Sequence, residues 1–195
     1  MKKVKVAVLI STYNGALYLE SQLNSALAQH GMFEISVFIR DDGSNDDTRI
    51  ILNEYCADHS NVSFVFGDNL GVVGSFLWLV ENAEKHDYYA FCDQDDIWHP
   101  LKIQAALFTM SKGEPVRPSV YCSSYDYVDK DLKLIGRGSS LSNFKLNNLL
   151  IENCAPGCTV VFNHALMLQC RTLPLSEIHD EIIMHDWFIV LIGSL

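Results

Sequence analysis

Four times before Pro100, a short apolar run gives way to a polar break and then to apolar residues at helical spacing. Val4–Ser11 ends at Thr12-Tyr13-Asn14-Gly15, and Leu19, Leu23, Ala26 and Leu27 follow. Ile35–Ile39 ends at Arg40-Asp41-Asp42-Gly43-Ser44, ahead of Ile50, Ile51 and Tyr55. Val62–Phe66 runs into Asn69-Leu70-Gly71, ahead of Phe76, Leu77, Val80 and Ala83. Tyr88–Cys92 stops at Asp93-Gln94-Asp95-Asp96, and Pro100 opens a further helical stretch over Leu101–Met110. Runs of strand length alternating with amphipathic helices predict parallel strands, right-handed crossovers and helices on both faces. The expected fold class is therefore α/β, with a mostly parallel, Rossmann-like central sheet. In such sheets ligands bind beyond the carboxyl ends of the strands. The breaks at 11–15, 41–44 and 93–96 all lie at such ends, so they are predicted to converge on one edge.

The second half is less regular. Ser119–Val128 reads as a strand, and Leu132–Ile135 as its hairpin partner after Asp129-Lys130-Asp131. The stretch 136–148, with Ser139, Ser140 and Ser142, reads as a mobile polar loop. Cys158–Phe162 reads as a strand and Asn163–Cys170 as a helix, and His185-Asp186-Trp187 opens a last apolar run to Ile192. Ser44 and Asp47 have capping-box spacing, with Asp in place of the usual Glu.

A length of 195 residues suits one domain, and 49% hydrophobic residues can fill a sizeable core. The strand–helix alternation fills residues 1–98, and 99–195 form the less regular half. The net charge of −10 excludes a general nucleic-acid surface, which needs a basic footprint. The six cysteines lie mostly inside apolar runs, and Cys154 and Cys158 form the one close pair. Without a second pair at ligand spacing, this is no zinc site. The amino-terminal apolar run is too short for a signal peptide or a membrane span, so a cytoplasmic chain with reduced thiols is expected.

The acids after the fourth run carry the chemistry. Asp93 and Asp95 are two apart, so on extended backbone their side chains point the same way. Carboxylates held together repel unless a cation sits between them, and hard divalent cations suit oxygen donors. The plainer alternative is a solvated acidic turn, with Asp96 capping the next helix.

Ser11-Thr12-Tyr13-Asn14, Asp41-Asp42-Gly43-Ser44, Asn69-Leu70-Gly71, Asp93-Gln94-Asp95-Asp96 and His185-Asp186-Trp187 occur in the order seen in family 2 glycosyltransferases. Together they make a sequence that resembles the inverting, GT-A members of that family over nearly the whole chain. The closest likeness is to bacterial rhamnosyltransferase-type enzymes that build surface polysaccharides.

The resemblance implies a nucleotide diphospho-sugar donor, dTDP- or UDP-linked, and a saccharide or lipid-linked acceptor. It implies a divalent cation, Mn2+ or Mg2+, with Asp95 as direct ligand and Asp93 assisting. Ser11, Thr12, Tyr13, Asn14, Asp41, Asp42, Asn69, Gly71, Asp93 and Gln94 would line the nucleotide site. Asp186 would be the general base, with Trp187, His185 and Gly157 around the acceptor. Read without the resemblance, Asp186 is a helix-terminal carboxylate serving the dipole, and Tyr13 a half-buried turn aromatic. A lipid-linked acceptor would place the enzyme at the inner face of the membrane. The chain stops nine residues after Asp186, where family members usually continue with more helices and a closing loop. The resemblance thus implies a single, C-terminally trimmed domain, with residues 1–98 as its nucleotide-sugar-binding half and 99–195 as its acceptor-side half. The alternative is a catalytically silent nucleotide-sugar-binding module of the same fold. A receiver-like domain would need an acid pair after the first strand, where Ser11-Thr12-Tyr13-Asn14 stands instead.

Overall fold

The computed structural model describes residues 3–114, 116–138, 146–151, 153 and 155–195. Ser139, Ser140, Ser142 and Cys154 lie outside the described residues. The strands β1 (Val4–Thr12), β2 (Phe33–Asp41), β3 (Val62–Phe66) and β4 (Tyr88–Asp93) alternate with helices α1 (Leu19–Leu27), α2 (Thr48–Asp58) and α3 (Gly71–Asn82). β1 runs parallel to β2 and β4, and β2 parallel to β3. The alternation is borne out strand for strand. The helix expected from Pro100 is α4 (Lys102–Met110), with Pro100 in the turn before it and Leu101 at the cap position.

The expected strand over Ser119–Val128 is two strands. β5 (Val120–Cys122) joins the central sheet, whereas β6 (Asp126–Val128) pairs with β7 (Leu134–Arg137) in a separate two-stranded ribbon. Ser123–Tyr125 breaks the run and sends it elsewhere. The hairpin partner of β6 is as expected. A short helix α5 (Leu146–Leu149) and a 3-10 turn (Gly157–Thr159) precede β8 (Val160–Asn163). Helices α6 (His164–Cys170), α7 (Leu175–Ile178) and α8 (His185–Ser194) complete the described chain. The side chain of Asn163 caps α6 by accepting from Leu166 N at 3.0 Å.

The central sheet has the order β3-β2-β1-β4-β8-β5. β8 is antiparallel to β4 and to β5, with Cys122 directly opposite Val160. Both halves of the chain thus share one sheet. Strand periodicity sorts the core into two layers. Ala7, Leu9, Tyr89, Phe91 and Phe162 pack on α3, α6, α7 and α8. Val6, Val8, Ile10, Ala90, Cys92 and Val161 pack on α1, α2 and α4. Strands buried on both faces read as continuous apolar runs. Each fully buried large aliphatic or aromatic side chain contributes about 1.5–3 kcal/mol. None of the described helices is long and apolar enough to cross a membrane.

Candidate active site

Parallel strands put their carboxyl ends on one edge, and the register aligns them. Ser11 sits level with Asp93 on one side and Arg40 on the other. Thr12 sits level with Asp41, and Asp41 with Phe66. The three polar breaks are then bonded to one another. Gln94 Oε1 accepts from Thr12 Oγ1 and from Tyr13 N, both at 2.8 Å. Ser44 Oγ accepts from Asn14 N at 2.9 Å, and Asn14 Oδ1 accepts from Asn45 N at 2.8 Å. Asn14 (φ 49°), Gly43 (φ 89°) and Gly71 (φ 72°) turn their loops through the left-handed region, which glycine enters without strain.

The edge differs from the expectation in its details. Asp41 and Asp42 are buried and already engaged. Asp42 forms an ion pair with Arg40 and accepts from Leu70 N at 2.9 Å. Arg40 also donates to Asp68 O at 2.8 Å. Asp41 pairs with Arg49 at 3.0 Å and accepts from Ser44 N and Oγ. Ser44 is therefore no capping-box residue, and the Asp47 side chain makes no cap bond to α2. Its hydroxyl is spent on Asp41 and its oxygen on Asn14. Thr12 is buried, Ser11 half-buried with Oγ donating to Ser75 Oγ at 2.6 Å, and Tyr13 and Asn14 exposed. Asn69 and Gly71 are exposed, with Asn69 Oδ1 accepting from Gly71 N at 3.1 Å.

The acidic loop follows β4. The strand ends at Asp93, and Gln94 and Asp95 form a turn, so two-residue alternation does not carry on to Asp95. Asp95 is exposed, while Asp96 folds back half-buried and accepts the Cys158 thiol. Asp96 is not a helix cap. Ligand atoms of Asp93, Asp96 and Cys158 lie within 4.8 Å of one another. Burial, then the charges of Asp96, Asp95 and Asp186, push the Asp93 carboxyl up to about 7. No base among the described residues offsets them. Burial and both acids also push the Cys158 thiol well up, so it stays protonated and donates.

Asp186 arrives from the far side of the sheet, in the first turn of α8. It is only 3% exposed. Its Oδ1 accepts from Trp187 N at 2.6 Å and from Asn153 Nδ2 at 3.0 Å. Burial raises its carboxyl above the usual range, and bonds from Trp187, Asn153 and the Gly157 amide oppose that rise. Gly157 lies in the 3-10 turn because β8 is antiparallel, so its entry sits beside the exit of β4. A Cβ there would stand 3.0 Å from His185 Nε2 and 3.6 Å from Asp186 Oδ2. His185 is buried, stacked on Phe76, and both its ring nitrogens lack a partner among the described residues. The Trp187 indole donates to Leu149 O and is half-buried.

In sequence Asn153 precedes the late strand, a place from which it could line the donor-sugar or acceptor pocket, and the structure gives it to Asp186. Lys102 gave no signal, since a lysine opening a helix reads as solvated.

A family model described as Glycosyl transferase family 2 matches residues 7–167. The dTDP-rhamnosyl transferase RfbG of Shigella flexneri is 29% identical over 187 residues, covering 92% of this chain and 63% of that protein. S. aureus TarS 1-349, also solved in complex with UDP-GlcNAc, superposes with a TM-score of 0.73 at 22% identity. That match covers 98% of this chain and 55% of TarS 1-349. The mannosyltransferase PcManGT of Pyrobaculum calidifontis, solved with GDP-Man and Mn2+, superposes at 0.54 and 18% identity, covering 64% of this chain and 37% of that one. The chain spans less than two thirds of the length of each of these relatives. The fold is the GT-A arrangement.

Proposed function

The chain belongs to glycosyl transferase family 2, and we propose that it moves a sugar from a nucleotide diphospho-sugar to an acceptor hydroxyl, with inversion, in polysaccharide synthesis. One observation carries this reading. Asp93, which faces the carboxylates of Asp96 and Asp95 with no base offsetting them among the described residues, lies within electrostatic reach of a second, buried carboxylate, Asp186, held on another element. That is the division of labour a displacement needs: charge at the leaving group, a base on the opposite side.

The residues present fit a hard divalent cation. Asp93 is destabilised by its neighbours, and Asp96 Oδ2 is buried without a partner among the described residues. We assign Asp95 and Asp93 as the cation's carboxylates. The protonated Cys158 thiol is a donor to Asp96 rather than a ligand. When bound, the cation supplies a Lewis acid for the departing diphosphate. RfbG is named for a dTDP-sugar and TarS is solved with UDP-GlcNAc, so a dTDP- or UDP-sugar donor is proposed. Ser11, Tyr13, Asn14, Asn69 and Gly71 line the edge that would take the nucleotide. Asp41 and Asp42 shape that edge from beneath, and Gln94 ties its loops together.

Asp186 takes the acceptor hydroxyl proton as the new bond forms. A carboxylate whose proton affinity burial has raised is a better base, and a positioned one contributes about 10²–10⁴-fold in rate. Trp187 N, Asn153 and the Gly157 amide hold the carboxylate in place for the hydroxyl. A saccharide or lipid-linked acceptor is proposed, the latter bringing the protein to the cytoplasmic membrane face. The test is transfer from a panel of UDP- and dTDP-sugars, with product anomeric configuration read by NMR. Absence of transfer with every donor would leave a silent binding module.

A further inference from the structure

The ribbon of β6 and β7 carries two tyrosines on one face. Tyr125, just before β6, and Tyr127 within it meet edge-on, with ring centroids 5.2 Å apart. Their hydroxyls share a hydrogen bond at 3.0 Å. The partner strand sets glycines beside both. Gly136 stands opposite Tyr127, and Gly138 N donates to Tyr125 O at 2.8 Å. A Cβ at Gly138 would stand 2.3 Å from Cζ of the Tyr125 ring, so that ring lies against bare backbone. Glycine in a strand often marks such a close approach. Tyr127 remains 55% exposed. Alternation sends Asp126 and Arg137 to the other face, where they pair at 3.9 Å. The tyrosine face is thus aromatic, hydroxyl-bearing and uncharged.

The root of the ribbon is fastened to the candidate active site. Ser123 N donates to Thr159 O at 3.1 Å, and Ser123 Oγ accepts from Lys102 Nζ at 3.3 Å. Thr159 closes the 3-10 turn that opens at Gly157, and the Gly157 amide bonds Asp186. Tyr125 comes two residues after Ser123. The tyrosine face therefore begins beside the turn that holds the proposed base, on the side where an acceptor would enter.

We propose that the Tyr125–Tyr127 face is a saccharide-binding platform that takes a sugar unit of the acceptor. Its service to an acceptor rests on the glycosyltransferase reading; its affinity for a neutral sugar does not. A pyranose has a face of C–H groups and a rim of hydroxyls, and tyrosine matches both. The C–H face lies on the electron-rich face of the ring. Two hydroxyls sharing one hydrogen bond leave one O–H among the described residues to donate to a sugar oxygen. A phosphate or a nucleic acid would find no cation on this face. Tyrosine also offers its contact area at low conformational cost.

The test is saturation-transfer NMR with methyl α-L-rhamnoside, methyl β-D-glucoside and methyl N-acetyl-β-D-glucosaminide, beside calorimetry with UDP and Mn2+. At least one sugar should take up saturation from the aromatic protons, most strongly at its ring C–H groups. Tyr127→Ala should weaken that sugar by about tenfold, and Tyr127→Trp should hold or tighten it. Both should keep the parent's UDP affinity and unfolding midpoint. Equal sugar binding by the parent and Tyr127→Ala, or saturation of none of the probes, overturns the proposal. Phosphatidylcholine vesicles that bind the parent but not Tyr127→Ala, with the sugars inert, would make the face a lipid contact instead. The glycosyltransferase reading fails separately. If no donor supports transfer or hydrolysis while Tyr127→Ala still loses the sugar, the platform stands on a silent module. Where a probe sugar accepts transfer, Tyr127→Ala should raise its KM by about tenfold at an unchanged donor KM. An unchanged acceptor KM ends the acceptor half.

Discussion

The imidazole of His185 lies flat on the ring of Phe76, with centroids 3.9 Å apart and planes 11° from parallel. The Phe91 ring meets it edge-on at 5.1 Å. A histidine so enclosed is held neutral, and burial pulls its proton affinity down to about 3. It serves Asp186 as a wall rather than as an acid or a base.

That burial has a pH consequence with a definite sign. Between about 3 and the ordinary histidine value of about 6.5, the unfolded chain binds a proton at His185 that the folded chain does not. Stability is therefore complete above about 6.5 and falls as pH drops through that window. Asp186 acts in the opposite sense nearer the carboxylate range, because its raised proton affinity favours the folded state on acidification. His185→Phe keeps the stack and removes the histidine contribution. Urea unfolding at pH 7 and 5.5 should show the parent losing about 1 kcal/mol more than the variant. Equal losses would mean that the imidazole finds a partner in solution.

Nucleotide binding should require a divalent cation. UDP and dTDP titrated with Mn2+ should bind, and with EDTA bind far more weakly; equal affinities would remove the cation from the site. Asp95→Asn should abolish most of the metal-dependent gain without changing the unfolding midpoint, because Asp95 is exposed. Asp93→Asn should weaken the gain too, yet raise the midpoint of the metal-free protein by relieving the crowd of acids.

Asp42→Ala should destabilise the fold before it informs on the nucleotide. It strands the Arg40 guanidinium, 3% exposed, and frees Leu70 N. Breaking a buried pair from one side costs about 3–5 kcal/mol. Chemical denaturation measures this directly, and a loss under about 1 kcal/mol would show that water replaces the pair.

Asp186→Asn is nearly isosteric and should keep UDP affinity while transfer falls by about 10²–10⁴-fold. The measurement is single-turnover transfer beside calorimetry. Transfer at the parent rate would move the base elsewhere.

The sheet was legible because its signal is local. Strand runs, breaks and helical stripes all lie within a dozen residues of one another, and parallel topology follows from their alternation. Convergence of Ser11, Asp42 and Asp93 on one edge needed no further information. The misreadings came from long-range contacts. Ser44 has a capping residue's spacing, but Asp41 and Asn14 claim its hydroxyl. The run 119–128 has strand composition throughout, but only Val120–Cys122 finds β8 to pair with. Lys102 looks solvated until Ser123 and Trp98 close over it from elements distant in the chain.

The pairing of Cys122 with Val160 has a consequence for how such a chain can diversify. The polypeptide leaves the sheet at one of these residues and returns beside it at the other. Ser123 N also donates to Thr159 O at 3.1 Å, so the two ends are held side by side, and lengthening a loop twofold between fixed ends costs only about 0.6 kcal/mol. Changes of length between these two residues need not disturb the register of β1 with β2 and β4, which is set by strands earlier in the chain.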